Sequence, residues 1–209
     1  MRKSATTRAA SATPEARPPE RRRQADRTAT TKAALADATI DLLVERGWQS
    51  VTAIEVCARA GVTRGAFHHH YESLPSLIAD SLRRVYSEMH ATHPTEIRTM
   101  VAIIDATWVH ISAPRFKAVI EAWLAMANDP TLRVEIGPVV AEFATLVSPN
   151  RSTAPLTTAP RRDFFVTSRE AMLGLALGRA TNGGRPLAHE QRVIARMCRE
   201  AASLDANAK

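Results

Sequence analysis

Residues 52–71 read TAIEVCARAGVTRGAFHHHY and combine two short helical stretches with a glycine between them. Thr52 and Glu55 have the spacing of a capping box, which predicts a helix that begins after Thr52. Gly61 is predicted to end this helix, because glycine readily adopts the positive φ of a helix C-terminus. Thr63 is a second N-cap, so another helix should follow at once. The stretch therefore predicts a helix-turn-helix.

Apolar residues on both short helices are predicted to hold them together. Cys57 lies four residues before Gly61, where the helices come close and a small side chain is needed. Val62 and Phe67 supply apolar contacts from the turn and from the second helix, which is predicted to run from residue 64 to 70 or 71. The apolar side of the first of the two helices is predicted to contain Ile54, Val56 and Cys57.

Longer helices are predicted on either side of this motif. One should begin between Thr28 and Thr31 and end at Gly47. Its predicted core residues recur with helical spacing: Leu35, Ala38, Thr39, Leu42 and Leu43. Another should be capped by Ser73, with Pro75 in its first turn. Its predicted core residues are Leu77, Ile78, Leu82, Val85, Tyr86 and Met89.

The basic charge of the 209-residue chain is concentrated at its N-terminus. The formal net charge is +7, of which residues 1–31 carry +5, residues 32–90 carry −1 and residues 91–209 carry +3. A basic chain favours a polyanionic partner. Residues 1–27 contain three prolines and lack an apolar stripe, so they are predicted to form a disordered basic arm. Its basic end consists of Arg21, Arg22, Arg23 and Arg27.

The stretch from about Lys32 to Leu82 resembles the TetR (tetracycline-repressor-like) family of transcriptional regulators. The resemblance rests on Ala38, Gly47-Trp48, Val51-Thr52, Ala60-Gly61-Val62-Thr63, Gly65, Phe67, His70-Tyr71, Ser73 and Leu77. It implies an all-α fold with an N-terminal three-helix helix-turn-helix domain, residues 28–90 including a connecting helix. It also implies a C-terminal helical domain, residues 91–209, for ligand binding and dimerisation.

The resemblance also implies a set of DNA-contacting residues. Thr52 would contact a phosphate, and Thr63, Arg64, Gly65 and Ala66 would face the major groove or its walls. The histidines His68, His69 and His70 would lie along the recognition helix. Elementary chemistry agrees, because an arginine can bind guanine or phosphate with two donors and the helix N-termini at Thr52 and Ser73 suit phosphates.

Two positions depart from the usual pattern of the family. His68 stands where tyrosine is usual, and Leu74 stands where lysine is usual. Both family residues commonly contact the DNA backbone, and leucine cannot do so. Because residues 32–90 are also close to neutral, we expect Arg21–Arg23 and Arg27 to supply the missing phosphate contacts. The three adjacent histidines are not expected to bind a metal, since consecutive helical residues point about 100° apart.

The C-terminal region is predicted to contain helices at about 96–111, 115–128, 131–147, 162–181 and 187–204. Aromatic and aliphatic side chains on three of them could be ordinary core or could line an apolar effector pocket. The predicted ligand-binding residues are Trp108, Phe116, Ile120, Trp123, Leu124 and Phe143. Polar groups that could orient a ligand are His110, Glu121 and Asn128. Gly174 and Gly178 give one helix a small face, and the resemblance implies that the last two helices pair with a second copy.

The function expected from these residues is a DNA-binding regulator, by family default a repressor released from a palindromic operator by an apolar small molecule. Motifs of catalysis are absent from the sequence, and no cofactor or metal is expected. Cys57 and Cys198 lack zinc spacing, so reduced thiols and a bacterial cytoplasmic location are expected. A membrane role is not expected, since no apolar run could span a bilayer. The alternative is a helical ligand-binding or interaction protein that has lost specific DNA binding.

Overall fold

The computed structural model describes residues 19–92, 94, 96–146 and 154–207, and within these ranges every regular element is helical. The α-helices are α1 Pro19–Arg46, α2 Ala53–Ala60, α3 Arg64–His70, α4 Leu74–Thr92, α5 Met100–Ile111, α6 Phe116–Asn128, α7 Pro130–Leu146, α8 Ala159–Thr181 and α9 Glu190–Ala206. Single 3₁₀ turns occupy Trp48–Ser50 and Ala154–Leu156. The predicted all-α fold is confirmed.

Helix α1 begins at Pro19, ahead of the predicted start between Thr28 and Thr31. Proline is favoured at the first helical position because its missing N–H would have no helical partner there. Residues 24–27 are exposed, so this part of α1 has no buried stripe that a search for hydrophobic periodicity could detect. The predicted helix start was therefore wrong, and the predicted disorder of the arm does not extend to residues 19–27. Residues 1–18 lie outside the described residues.

The N-terminal half is built around a shared core of α1, α2, α3 and α4. The predicted core faces of α1 and α4 are confirmed, with Met89 only partly buried. The largest fully buried side chains of this half are Leu35, Ile40, Leu42, Leu43, Phe67, Leu77, Ile78 and Leu82. Ile54 is an exception to the predictions, because it is 61% exposed. Successive helical residues point about 100° apart, so Ile54 lies on nearly the opposite side of α2 from Val56, which is buried together with Cys57.

The C-terminal half, which we call the body, consists of α5–α9. Helix α4 extends from the N-terminal half and packs against α6 and α7, while α5 packs against α8 and α9. Asp205 near the end of α9 accepts hydrogen bonds from the N–H of Met100 at 2.9 Å and lies 3.2 Å from the Arg161 guanidinium. This carboxylate thereby joins the start of α5, the start of α8 and the end of α9. Across the described ranges, none of the helices is long and apolar enough to cross a membrane.

Candidate nucleic-acid interface

The corner between α2 and α3 is formed by two N-caps and one left-handed glycine. The Thr52 hydroxyl accepts a hydrogen bond from the N–H of Glu55 at 3.2 Å. Gly61 has φ 67°, a left-handed conformation that ends α2 without the strain a side chain would bring. The Thr63 hydroxyl then accepts from the N–H of Ala66 at 3.1 Å. The predicted caps and the glycine corner are confirmed.

The capping box at the start of α2 is only half formed. The Glu55 carboxylate lies 3.4 Å from the Arg46 guanidinium rather than on the backbone of Thr52. The N–H of Thr52 instead donates to the carbonyl of Ser50 at 3.1 Å. The start of α2 is thus tied directly to the 3₁₀ turn that precedes it.

The inner side of α3 packs on α2 as the sequence predicts. Phe67 is 1% exposed, and Cys57 is buried with its Sγ 3.9 Å from the carbonyl oxygen of Thr63. The N–H of Val62 donates to the carbonyl of Cys57 at 3.1 Å. Burial raises the pKa of the Cys57 thiol, so this cysteine acts as a small apolar spacer between the two helices.

The outer side of the motif presents most of the predicted DNA-contacting residues to solvent. Thr52, Thr63, Arg64, Gly65, His68 and His69 are exposed, whereas Ala66, His70 and Ser73 are half-buried. A Cβ on Gly65 would meet only the Thr63 Oγ1, at 3.7 Å, so the fold itself does not require glycine there. The missing side chain instead keeps the leading turn of α3 narrow towards whatever approaches from outside.

The start of α4 lies beside this face. The N–H of Ser76 donates to the Ser73 Oγ at 3.2 Å, which confirms the predicted cap. Leu74, the departure from the family pattern, is half-buried and packs against the core. Its side chain therefore contributes to packing rather than to a polar surface.

The cations around α3 differ in how they are engaged. Arg59 is paired with Glu45 at 2.6 Å, and Lys32 lies over the Tyr71 ring at 5.3 Å. Arg64 forms no ion pair within the described part of the chain. Burial, followed by the charges of His69 and Lys32, lowers the pKa of His70. Arg64 is accordingly the permanent charge that α3 offers to a partner.

The predicted effector residues separate into a cluster and two outliers. Phe116 and Trp123 meet edge to face at 5.8 Å, the Trp123 Nε1 donates to the Tyr86 hydroxyl at 3.2 Å, and Tyr86 stacks on Phe143 at 3.9 Å. Ile120 is buried on the same helix as Phe116. We call Tyr86, Phe116, Ile120, Trp123 and Phe143 the aromatic cluster. From its spacing in the sequence, Tyr86 is predicted only as a core residue of α4, so its contact with this cluster is an addition from the structure.

Trp108 and Leu124 have surroundings that differ from those of the aromatic cluster. The Arg179 guanidinium lies over the Trp108 ring at 5.2 Å, and Leu124 is 52% exposed. Among the polar candidates, Asn128 donates to the carbonyl of Leu124 in its own helix. Burial lowers the pKa of His110.

Glu121, predicted as a polar group that could orient a ligand, contacts the backbone between α1 and α2. Its Oε2 accepts a hydrogen bond from the N–H of Trp48 at 3.0 Å, in the turn between α1 and α2. One turn earlier on α6, the Lys117 Nζ donates to the carbonyl of Val44 at 2.6 Å. These contacts join residues 73 positions apart in the sequence. No local pattern could have indicated them.

The two glycines of α8 have different surroundings. A Cβ on Gly178 would lie 2.7 Å from the Leu187 Cδ1, so this glycine allows the segment before α9 to pack closely on α8. A Cβ on Gly174 would meet nothing within 4 Å, and this glycine is exposed. Leu177, three residues later on α8, is 44% exposed. The outer face of α8 therefore combines a small residue with an exposed apolar one.

Comparison with known proteins gives a family for the motif and relatives for the fold. Residues 35–78 match the family described as bacterial regulatory proteins, tetR family. A transcriptional regulator from Rhodococcus sp. Rha1 is 18% identical, with 82% of this chain and 96% of that chain covered and a TM-score of 0.64. A TetR-family member from Streptomyces coelicolor A3 is 21% identical, with 81% and 96% covered and a TM-score of 0.60.

A third similar structure is that of the multidrug binding protein EbrR complexed with imidazole. It is 20% identical, with 80% of this chain and 93% of that chain covered and a TM-score of 0.57. EbrR has also been solved with proflavin and with ethidium. No curated protein of similar sequence was found. The solved structures bear out the fold over about four-fifths of the chain.

Proposed function

We propose that this chain is a transcriptional regulator of the TetR family, and that it represses genes by binding a palindromic operator as a homodimer. The observation that carries the proposal is the outer face of α3. A narrow glycine-containing turn and Arg64, which forms no ion pair among the described residues, lie at the exposed start of a helix whose inner side buries Phe67. This is the form that a recognition helix needs to enter the major groove.

We assign the roles at the interface by the chemistry of each group. Arg64 binds a guanine edge or a phosphate, and Thr63, Gly65 and Ala66 allow the backbone to approach the groove. His68, His69 and His70 lie along the helix and contact base edges or phosphates. Thr52 and Ser73 bring the N-termini of α2 and α4 to the phosphates on either side. Arg27, together with Arg21–Arg23, adds charge that attracts the DNA backbone.

We propose that a small apolar or aromatic effector binds at the aromatic cluster. Stacked rings offer apolar surface, and the Tyr86 hydroxyl, which accepts from the Trp123 N–H, keeps its own O–H as a donor that can orient a ligand. The complexes of EbrR with proflavin and ethidium, which are planar aromatic compounds, support this class of effector. An effector that favours a different arrangement of α4 and α6 lowers operator affinity by shifting the population of states.

The test is DNA binding by the full chain and by Arg64→Ala, with a duplex enriched from a random library by the wild-type protein. The substitution should weaken binding by about 1–3 kcal/mol, or about 5- to 150-fold. The melting temperature should not change, because the side chain is exposed. Arg196→Ala, which removes an exposed arginine from α9, is the matched control and should bind like wild type. Failure of the wild-type protein to enrich any duplex would instead favour the ligand-binding protein without DNA specificity.

A further inference from the structure

We propose that Glu121 is a positioning residue: it holds the helix-turn-helix in a fixed orientation on the body and so sets the half-site spacing that the dimer accepts. The inference rests on the proposed function, since spacing has meaning only for a dimer on a palindromic site. Glu121 lies on α6, which also carries Phe116, Ile120 and Trp123 of the aromatic cluster. One helix therefore touches both the proposed effector region and the DNA-binding half.

The contact of α6 with the end of α1 is complementary in charge. Lys117 places its ammonium 2.6 Å from the carbonyl of Val44, at the C-terminal end of α1, where the helix dipole is negative. Glu121, one turn later, places its carboxylate 3.0 Å from the N–H of Trp48, at the start of the 3₁₀ turn, where backbone N–H groups lack helical partners. Each charge thus meets the end of the backbone element that stabilises it.

Gly47 makes this contact possible in two ways. Its φ of 79° is in the left-handed region, which favours glycine, and this turn redirects the chain from α1 into the 3₁₀ turn. A Cβ at Gly47 would also lie 3.3 Å from both carboxylate oxygens of Glu121. Glycine at position 47 therefore allows both the turn of the backbone and the close approach of the Glu121 carboxylate.

The anchored amide lies close to the start of α2. From Trp48, a short run of hydrogen bonds leads to Thr52: the N–H of Val51 donates to the carbonyl of Trp48 at 3.0 Å, and the N–H of Thr52 donates to the carbonyl of Ser50 at 3.1 Å. The Ser50 hydroxyl also donates to the carbonyl of Gly47 at 2.8 Å. A shift of the Trp48 amide is therefore carried to the N-cap of α2 and on to α3.

A second polar contact between the halves does not reach this corner. Asp37, Arg84, Glu88 and Arg115 form a ring of four ion pairs between 3.1 and 3.4 Å that joins α1, α4 and the residue before α6. These side chains are 37–43% exposed, and exposed ion pairs contribute little because solvent screens them. Asp37 lies on α1, Arg84 and Glu88 lie on α4, and Arg115 precedes α6. None of these four residues therefore lies in the segment leading to α2. The structure thus assigns the positioning role to Glu121.

The experiment measures spacing preference with the full-length protein and a duplex enriched from a random library. Versions of that duplex gain or lose one base pair between the half-sites, which rotates and shifts one half-site relative to the other. Wild type should lose affinity by about tenfold for each changed duplex, because two rigidly held recognition helices fit one separation. Glu121→Ala should discriminate by less than about threefold, because its helix-turn-helix can reorient.

Two variants test whether the hydrogen bond itself is responsible. Glu121→Gln keeps an oxygen that accepts from the Trp48 N–H and should discriminate like wild type. Arg133→Ala removes an exposed α7 side chain that donates to the carbonyl of Ala127 near the end of α6, and it should also behave like wild type. Spacing discrimination in Glu121→Ala equal to that of wild type would overturn the inference, and so would a loss of discrimination in Glu121→Gln as large as in Glu121→Ala.

Hydrogen exchange gives a readout that does not depend on DNA. The amide of Trp48 should exchange at least about tenfold faster in Glu121→Ala than in wild type, while α4 amides keep their protection. Unchanged exchange of the Trp48 amide in Glu121→Ala would count against the positioning role of Glu121, whether or not a duplex binds. Failure of the wild-type protein to bind any duplex would count against the proposed function instead. Should Glu121→Ala not fold, Glu121→Asp, shorter by one methylene, replaces it in both measurements.

Discussion

At the scale of single residues, the recognition helix is unusual in its supply of charge. Arg64 is its permanent cation, and the next polar side chains on its exposed face are His68 and His69. An imidazole ring carries an N–H that can donate a hydrogen bond to a phosphate or to a base edge.

We therefore expect the double variant His68→Ala, His69→Ala to bind the operator about three- to tenfold more weakly than wild type, because it loses hydrogen bonds that each contribute about 1 kcal/mol. Binding is measured at constant ionic strength with the enriched duplex. The double variant His68→Gln, His69→Gln keeps an N–H donor at both positions and should retain more of the affinity. A His68→Ala, His69→Ala protein that binds like wild type would refute the role of these two histidines.

At the scale of helices, one ion pair holds the turn from α8 to α9. The Arg179 guanidinium binds the buried carboxylate of Glu190 and also donates to the carbonyl of Ser112 at 2.9 Å. Breaking one side of such a pair leaves an uncompensated charge, which is costly in a buried place. Glu190→Gln should destabilise the fold by about 3 kcal/mol at pH 7, as measured by urea unfolding.

The same ion pair is expected to make the free energy of unfolding decrease as the solution becomes acidic. The hydrogen bond from Arg179 lowers the pKa of Glu190 below its ordinary value of 4.5 in the folded protein. The stabilisation is therefore complete above pH 4.5 and is lost as pH falls through the lowered value. The gap between wild type and Glu190→Gln should narrow below about pH 4. The exposed pair of Arg196 and Glu200 is the control, and Glu200→Gln should change stability by less than about 0.5 kcal/mol at either pH.

The sequence predicts helices well where their ends are marked by local chemistry. Thr52, Gly61, Thr63 and Ser73 act on neighbouring residues only, so α2, α3 and the start of α4 follow directly from the sequence. The early start of α1 lacks such a signal, because residues 24–27 are exposed and the sequence there has no apolar stripe. Its stabilisation comes from being continuous with a packed helix rather than from residues that pattern analysis weighs.

The candidate site shows the same difference between features fixed by neighbouring residues and features fixed by distant contacts. The exposed or half-buried positions of the DNA-contacting residues follow from the helical register around Gly61, which is local. The effector region depends on how α4, α6 and α7 pack, and three of the candidates on α6 show the difficulty. Ile120 is buried, Glu121 binds the Trp48 amide, and Leu124 is half exposed. Which side of α6 faces which neighbour is fixed by contacts far away in sequence.

At the scale of the whole molecule, reading a palindrome requires that two copies of the chain hold their recognition helices about one turn of DNA apart. We expect the outer face of α8 to form this two-fold interface, because Gly174 permits close approach of a partner helix and Leu177 offers exposed apolar surface.

Leu177→Glu should then yield monomers in sedimentation experiments, since a carboxylate would be desolvated between two apolar faces. Val134→Glu is the matched control: it places the same charge at a 75% exposed apolar position on α7 and should leave the dimer intact. A monomeric Leu177→Glu should bind a half-site and a full palindrome with nearly equal affinity, because the second recognition helix no longer arrives with the first. A Leu177→Glu protein that remains dimeric and keeps its preference for the palindrome would show that another face joins the two copies.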